Sequence, residues 1–142
     1  MVASALAGCA STPQATVARD AEAKQFIARP DTATFYIYRP DRSPAGVDSV
    51  LYLDGRLIGA TLPATDFRVD LRPGTHLLRG YGHDNGSLRV EARPGEPVFV
   101  ALTVMDGDSR FTRVDAETGK RDILRCCALM ENWTPGQRPL LR

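Results

Sequence analysis

Two histidines, three cysteines and a single tryptophan in 142 residues leave little of the usual equipment for catalysis or metal binding. The cysteines are Cys9 and the adjacent pair Cys126 and Cys127, with no C-x-x-C spacing and no Cys/His cluster. That excludes a zinc site and a thioredoxin-like motif, and three thiols make no disulfide framework. No G-x-S-x-G elbow is present, so a hydrolase of that kind is excluded too. Long apolar runs are missing: no stretch approaches the ~20 apolar residues of a membrane-spanning helix. Charge of one sign is also missing. The formal net charge is +1 with Lys and Arg scattered, which gives no electrostatic footprint for nucleic acid. No enzyme activity, cofactor, metal or nucleic-acid partner is expected.

What is present is the material of one folded domain. Hydrophobic residues make up 43% and charged residues 25% of the chain, ordinary values for a globular core with a solvated surface. Residues 17–28, VARDAEAKQFIA, favour a short helix, with Phe26 and Ile27 as its anchors and Pro30 as its stop. From Thr34 the hydrophobic period becomes two. TFYIYR (34–39) is apolar on both faces and predicts a central strand. VLYLDGRLIGAT (50–61) predicts two strands joined at Asp54-Gly55, a strong hairpin signal. In DFRVDL (66–71) Phe67, Val69 and Leu71 face the core while Arg68 and Asp70 face water.

Arg72-Pro73-Gly74 then turns the chain into a return strand, THLLRGYG (75–82). His83-Asp84-Asn85-Gly86 predicts a hairpin turn before SLRVEA (87–92), and Arg93-Pro94-Gly95-Glu96 repeats the Pro-Gly turn. PVFVALTV (97–104) is the second doubly apolar strand, and RFTRVD (110–115) follows the Asp106-Gly107 turn. GKRDILRCCALM (119–130) reads equally as strand or short helix, and WTPGQRPLLR (133–142) as coil. Seven or eight short strands with turn signals between them predict an all-β fold, a small antiparallel β-sandwich with an N-terminal helix.

Near the front, Leu6-Ala7-Gly8-Cys9 resembles a bacterial lipobox. Small side chains at positions 7 and 8 suit a signal peptidase cutting before Cys9, whose thiol would carry diacylglycerol. Met1–Ala5 is too short for an h-region and has no basic n-region, so the coding sequence is expected to start upstream. Ala10-Ser11-Thr12-Pro13-Gln14-Ala15-Thr16 is small and polar, as a flexible tether should be. Multiple acyl chains anchor stably where one does so only marginally. Ala10 in place of Asp points, by analogy, to the outer membrane. The expected divisions are a signal-peptide remnant at 1–8, a tether at 9–17, a sandwich domain at 18–132 and a tail at 133–142.

Residues 50–82 resemble a PEGA-type module, which shows Asp-Gly ending a strand, a later Gly, a Phe-centred strand, and Pro-Gly-x-His opening an apolar strand. Here these are Asp54-Gly55, Gly59, Phe67 and Pro73-Gly74-Thr75-His76. With the lipobox, the helix, FYIYRP and Cys127-Ala128-Leu129, the chain is similar to a family of uncharacterised bacterial lipoproteins, a domain of unknown function. The resemblance covers nearly everything after residue 17. It implies a prealbumin-like sandwich used as an envelope binding or spacer module, and it brings no catalytic residues.

The remaining reactive side chains have ordinary explanations. His76 and His83 would leave opposite faces of one strand, so they share no metal. Ser87, His83 and Asp84 are too close along the chain to line up as a triad. Asp106-Gly107-Asp108 lacks the other ligands of a calcium loop. Asp54, Asp66, Asp70 and Asp115 belong to turns or polar strand faces, and Arg39, Arg42 and Arg56 are expected to be solvated. Trp133 either caps the domain or is an exposed anchor. Cys126-Cys127, if on a strand, gives one buried and one half-exposed thiol. An intermolecular disulfide, and hence a dimer, is the sharper alternative, and a vicinal disulfide is rare. The expected function is therefore a non-enzymatic envelope protein, held by lipid on Cys9 and contacting another envelope protein or the cell wall. The alternative is a periplasmic carrier with a small apolar ligand or peptide between its sheets. Phe35, Phe67 and Phe99, facing inward, would fill that space.

Overall fold

A computed structural model describes residues 13–41, 49–81, 86–105 and 108–131. The chain forms a β-sandwich with two short helices. The elements are α1 (Val17–Ala23), β1 (Ala33–Arg39), β2 (Ser49–Leu53), β3 (Arg56–Thr61), β4 (Thr65–Leu71), β5 (Gly74–Tyr81), β6 (Ser87–Ala92), β7 (Pro97–Met105), β8 (Asp108–Val114), α2 (Ala116–Cys126) and β9 (Ala128–Leu129). One sheet has five strands in the order β8-β7-β1-β4-β9; the other has four in the order β3-β2-β5-β6.

The doubly apolar strands lie where their patterns place them. Every residue of β1 is buried, because one face packs on the opposing sheet and the other lies under the helices. Phe35 and Ile37 join Val98, Val100, Phe67 and Val69 between the sheets, against Leu51, Leu53, Ile58, Leu78 and Val90. Tyr36, Tyr38 and Phe99 point the other way and meet Ile123 of α2. Phe99 is thus not an inter-sheet residue, a correction to the reading of the three phenylalanines.

Asp54 and Gly55 form a two-residue hairpin between β2 and β3 with φ of 51° and 77°. Positive φ at both central positions is the I′ geometry that matches strand twist. The Pro-Gly segments behave differently. Instead of closing hairpins, they carry the chain across the sandwich, from β4 to β5 and from β6 to β7. β4 already pairs with β1 on one edge and β9 on the other, and β7 lies between β1 and β8, so neither has an edge free for its sequence neighbour.

The expected antiparallel β-sandwich forms, with two exceptions in its strand pairing. β1 pairs with β7 in parallel, and β4 with β9 in parallel, so the larger sheet is mixed. A parallel partner requires a crossover, and α2 supplies the one leading to β9. The ambiguous segment 119–130 divides into both states. Asp115 caps α2 by accepting from Thr118 N at 2.9 Å, and Gly119 and Ile123 form its buried edge against Phe99.

The N-terminal region is shorter in helix and longer in contact than expected. α1 stops at Ala23 because the chain tightens through Gln25 N to Glu22 O and Phe26 N to Ala23 O, and Phe26 adopts a φ of 56°. That turn sets Phe26 on Tyr36 and Phe99, while Ile27 remains exposed and anchors nothing. Residues 13–16, assigned to the tether, are docked. Ala15 N donates to Leu129 O and Glu131 N to Pro13 O, covering backbone groups that β9 would otherwise present as an open edge. Cys9, His83, Asp84, Asn85, Asp106, Gly107, Arg42 and Trp133 lie outside the described residues.

Candidate functional site

The outer face of the five-stranded sheet carries a cluster of polar and charged side chains. In β4 the alternation sends Asp66, Arg68 and Asp70 to this face, where α1 and the segment after it cover them. Asp66, expected on a polar strand surface, is 1% exposed. Its Oδ1 has no hydrogen-bond partner. Burial pushes its carboxyl up to about 7; nearby Lys24 opposes the shift and Asp20 adds to it.

Lys24 and Asp20 form the hub next to it. Lys24 Nζ donates to Asp20 Oδ2 and to Cys127 O, both at 2.7 Å, and Asp20 Oδ1 accepts from Leu129 N at 2.8 Å. Burial raises the Asp20 carboxyl, but the bonds from Lys24 and Leu129 outweigh it and hold the group below the usual carboxylate range. A single i,i+4 pair, from α1 to its C-cap, thereby fastens the helix to both the C-cap of α2 and the last residue of β9.

Around this hub the aromatic residues are tightly ordered. Tyr36 stacks on Phe99 with centroids 5.1 Å apart, and its hydroxyl donates to Ala23 O at 2.9 Å. Burial pushes the Tyr36 phenol up to about 12. The Tyr38 hydroxyl donates to Asp122 Oδ2 at 2.8 Å, and burial, followed by that acceptor, raises its phenol as well. Arg68 lies over the Tyr36 ring at 5.8 Å and donates to Ile27 O at 2.9 Å. Thr34 donates to Asp70 Oδ1 at 2.7 Å.

A cleft of about 400 Å³ opens beside α1, with Arg19, Arg68, Asp70, Ile27, Met130 and Glu131 among its walls. Its three arginines each face a carboxylate: Arg19 with Glu131 at 3.5 Å, Arg68 with Asp70 at 3.7 Å and Arg29 with Asp31 at 3.9 Å. These ion pairs share the cleft with the apolar side chains of Ile27, Leu129 and Met130.

The cysteine pair sits at the inner end of this region. Cys126 ends α2, Cys127 is its C-cap, and the two sulfurs are joined in a disulfide between sequence neighbours. This replaces the strand geometry expected to send them to opposite faces. Cys127 is buried and Cys126 is half-buried.

The other predicted positions are scattered. His76 lies beside the Arg72-Pro73-Gly74 crossing: Nδ1 faces Asp54 Oδ2 at 2.5 Å and Nε2 faces Arg72 O at 2.7 Å. Arg39, expected in solvent, is 1% exposed, with Nε donating to Asp41 at 2.8 Å and a second nitrogen to Thr61 O at 3.1 Å. A buried guanidinium demands such partners. Asp115 caps α2, and the bonds from Thr118 hold its carboxyl low. Among the described residues no group of three or more His, Cys, Asp or Glu is placed to hold a metal ion. No helix among them is long and apolar enough to cross a membrane.

Asp20 and Lys24 were not singled out in the sequence, and Asp66 was placed on a polar strand face. The available signal was β1 itself: a strand apolar on both faces requires cover on both, so the polar side of adjacent β4 had to be covered too.

Comparison with known proteins adds a relative without a role. The chain is similar to an uncharacterised protein of Haemophilus influenzae, 28% identical over 128 residues, which span 86% of this chain and 76% of that protein. No family model matches the chain. No solved structure matches it.

Proposed function

We propose that this chain is a lipid-anchored bacterial envelope protein whose sandwich serves as a non-enzymatic binding or structural module. The observation that carries this reading is Leu6-Ala7-Gly8-Cys9 followed by small polar residues. Two features of the fold support it. The layer between the sheets is occupied by Phe35, Ile37, Leu51, Phe67 and their neighbours, which leaves the outer surface as the working surface and favours this reading over a carrier with an inter-sheet ligand. Pro13–Ala15 is fastened along Leu129–Glu131, so only residues 10–12 separate the anchored cysteine from the docked chain. Fully extended, the steps from Cys9 to Pro13 reach at most about 14 Å.

A lipid on Cys9 would therefore hold the domain close to the bilayer with its α1 side nearest the anchor. The cleft beside α1 is on that side, and its mixed lining suits an extended segment of another envelope protein or of the wall. The test is metabolic labelling with a fatty acid in bacteria expressing the protein from its native locus. Label on the wild-type chain and none on Cys9→Ser supports the reading. Equal or absent label on both overturns it.

A further inference from the structure

We propose that Cys126–Cys127 is a redox-active disulfide, opened by a thiol reductant attacking the Cys126 sulfur with the Cys127 sulfur as leaving group. The proposal does not depend on a lipid at Cys9.

A structural disulfide stabilises chiefly by restricting the unfolded chain, and the effect grows with the loop it closes. The sequence separation here is 1, so the bond closes no loop beyond the peptide joining its own residues. Conformational restriction of the unfolded chain therefore does not account for it. Its surroundings suit exchange chemistry instead. Cys126 is half-buried at the end of α2 and packs against the cluster of Tyr36, Tyr38, Phe99 and Ile123 in which Cys127, 6% exposed, is buried. Exchange needs access to the sulfur attacked, which selects Cys126.

On the leaving side, Lys24 Nζ donates to the Cys127 carbonyl oxygen and to Asp20 Oδ2, both at 2.7 Å, which holds the backbone of Cys127 in place as its sulfur departs. Once protonated, the Cys127 thiol has an acceptor in place, since its sulfur lies 3.8 Å from the Arg39 carbonyl oxygen. The buried site thus accommodates either oxidation state.

The step balances with a dithiol reductant. Its thiolate attacks the Cys126 sulfur, forming a mixed disulfide and expelling the Cys127 thiolate, which takes up a proton. The reductant's second thiolate then attacks its own sulfur in the mixed disulfide and frees the Cys126 thiolate. The protein disulfide gains two electrons and two protons, and the reductant leaves as its cyclic disulfide. Reduction releases the constraint on the 126–127 peptide where α2, Lys24 and β9 converge.

The test uses the wild-type full chain, natively folded and isolated without reductant. Brief exposure to glutathione, an acid quench and maleimide labelling would be followed by fragmentation of the peptide containing both residues; Cys9 falls in a different peptide. The expected result is no maleimide on the pair before glutathione. After it, species with glutathione on Cys126 and maleimide on Cys127 should outnumber the reverse by at least tenfold. Free thiols at both positions before reduction overturn the proposal. So does a disulfide that opens only after unfolding, or glutathione distributed equally or mainly on Cys127.

Discussion

Asp54 and His76, 22 positions apart, meet with Asp54 Oδ2 2.5 Å from His76 Nδ1. Asp54 Oδ1 simultaneously accepts from Leu77 N at 2.8 Å, and His76 Nε2 faces Arg72 O at 2.7 Å. One carboxylate and one imidazole therefore tie the β2–β3 hairpin to the point where the chain crosses between sheets. The Asp-Gly and Pro-Gly-x-His segments, separate in the sequence, form one hydrogen-bonded unit in the fold.

That unit should behave as a coupled pair. Asp54→Ala and His76→Ala are each expected to lower stability by about 1–2 kcal/mol. The double variant should fall short of their sum by about 1 kcal/mol. Urea denaturation of the four proteins measures this, and strict additivity would show that the contact carries no energy.

Asp66 makes a prediction about pH. Its carboxyl is raised in the folded protein to about 7, above its ordinary value, so the native state holds a proton that the unfolded chain releases. Its favourable contribution is complete below about pH 4, the unfolded value, and is lost as pH rises toward 7. Wild type should lose on the order of 2–4 kcal/mol between pH 4 and 8 from this group. Asp66→Asn, which imitates the protonated form, should lose none of that portion. Parallel pH profiles of the urea midpoints for the two proteins would contradict the assignment.

Gly119 tests the seat of α2. An added Cβ would run into the Phe99 ring, which is fixed by stacking on Tyr36. Helix propensity alone favours Ala over Gly by about 1 kcal/mol. The clash should reverse the sign, leaving Gly119→Ala destabilised by about 1–3 kcal/mol. Leu124→Ala, on the exposed side of the same helix, should change stability by less than about 0.5 kcal/mol. Thermal unfolding of the two variants gives the comparison.

The Tyr36 hydroxyl secures α1 from beneath. Tyr36→Phe leaves Ala23 O without this donor and is expected to cost about 1–2 kcal/mol. Hydrogen exchange should quicken in residues 17–26 more than in β2 and β3. Uniform quickening across the chain would assign the loss to the core as a whole.

What was legible in the sequence was what period two and turn chemistry can encode. β1 and β7 stood out because both faces were apolar, and the β2–β3 hairpin because Asp54-Gly55 satisfies positive φ twice. Turn residues report that the chain bends; they do not report which sheet it enters, and so the Pro-Gly segments read only as turns. Partnership is settled by which strand edges remain free, a property of the whole fold. Asp66 and Arg68 looked solvated for a related reason. Alternation separates two faces of a strand, but only tertiary packing tells which of those faces is covered. The cysteine pair was visible as an oddity, yet its geometry depended on α2 extending to Cys126, which periodicity left open between helix and strand.

The central claim is the lipid on Cys9, and the intact mass of the protein extracted from bacterial membranes tests it most directly. Expressed from its native locus, wild type should begin at Cys9 and carry the mass of a diacylglyceryl group and an amide-linked acyl chain, and Cys9→Ser should carry neither. An unmodified wild-type chain recovered in the soluble fraction, identical in behaviour to Cys9→Ser, would contradict the account.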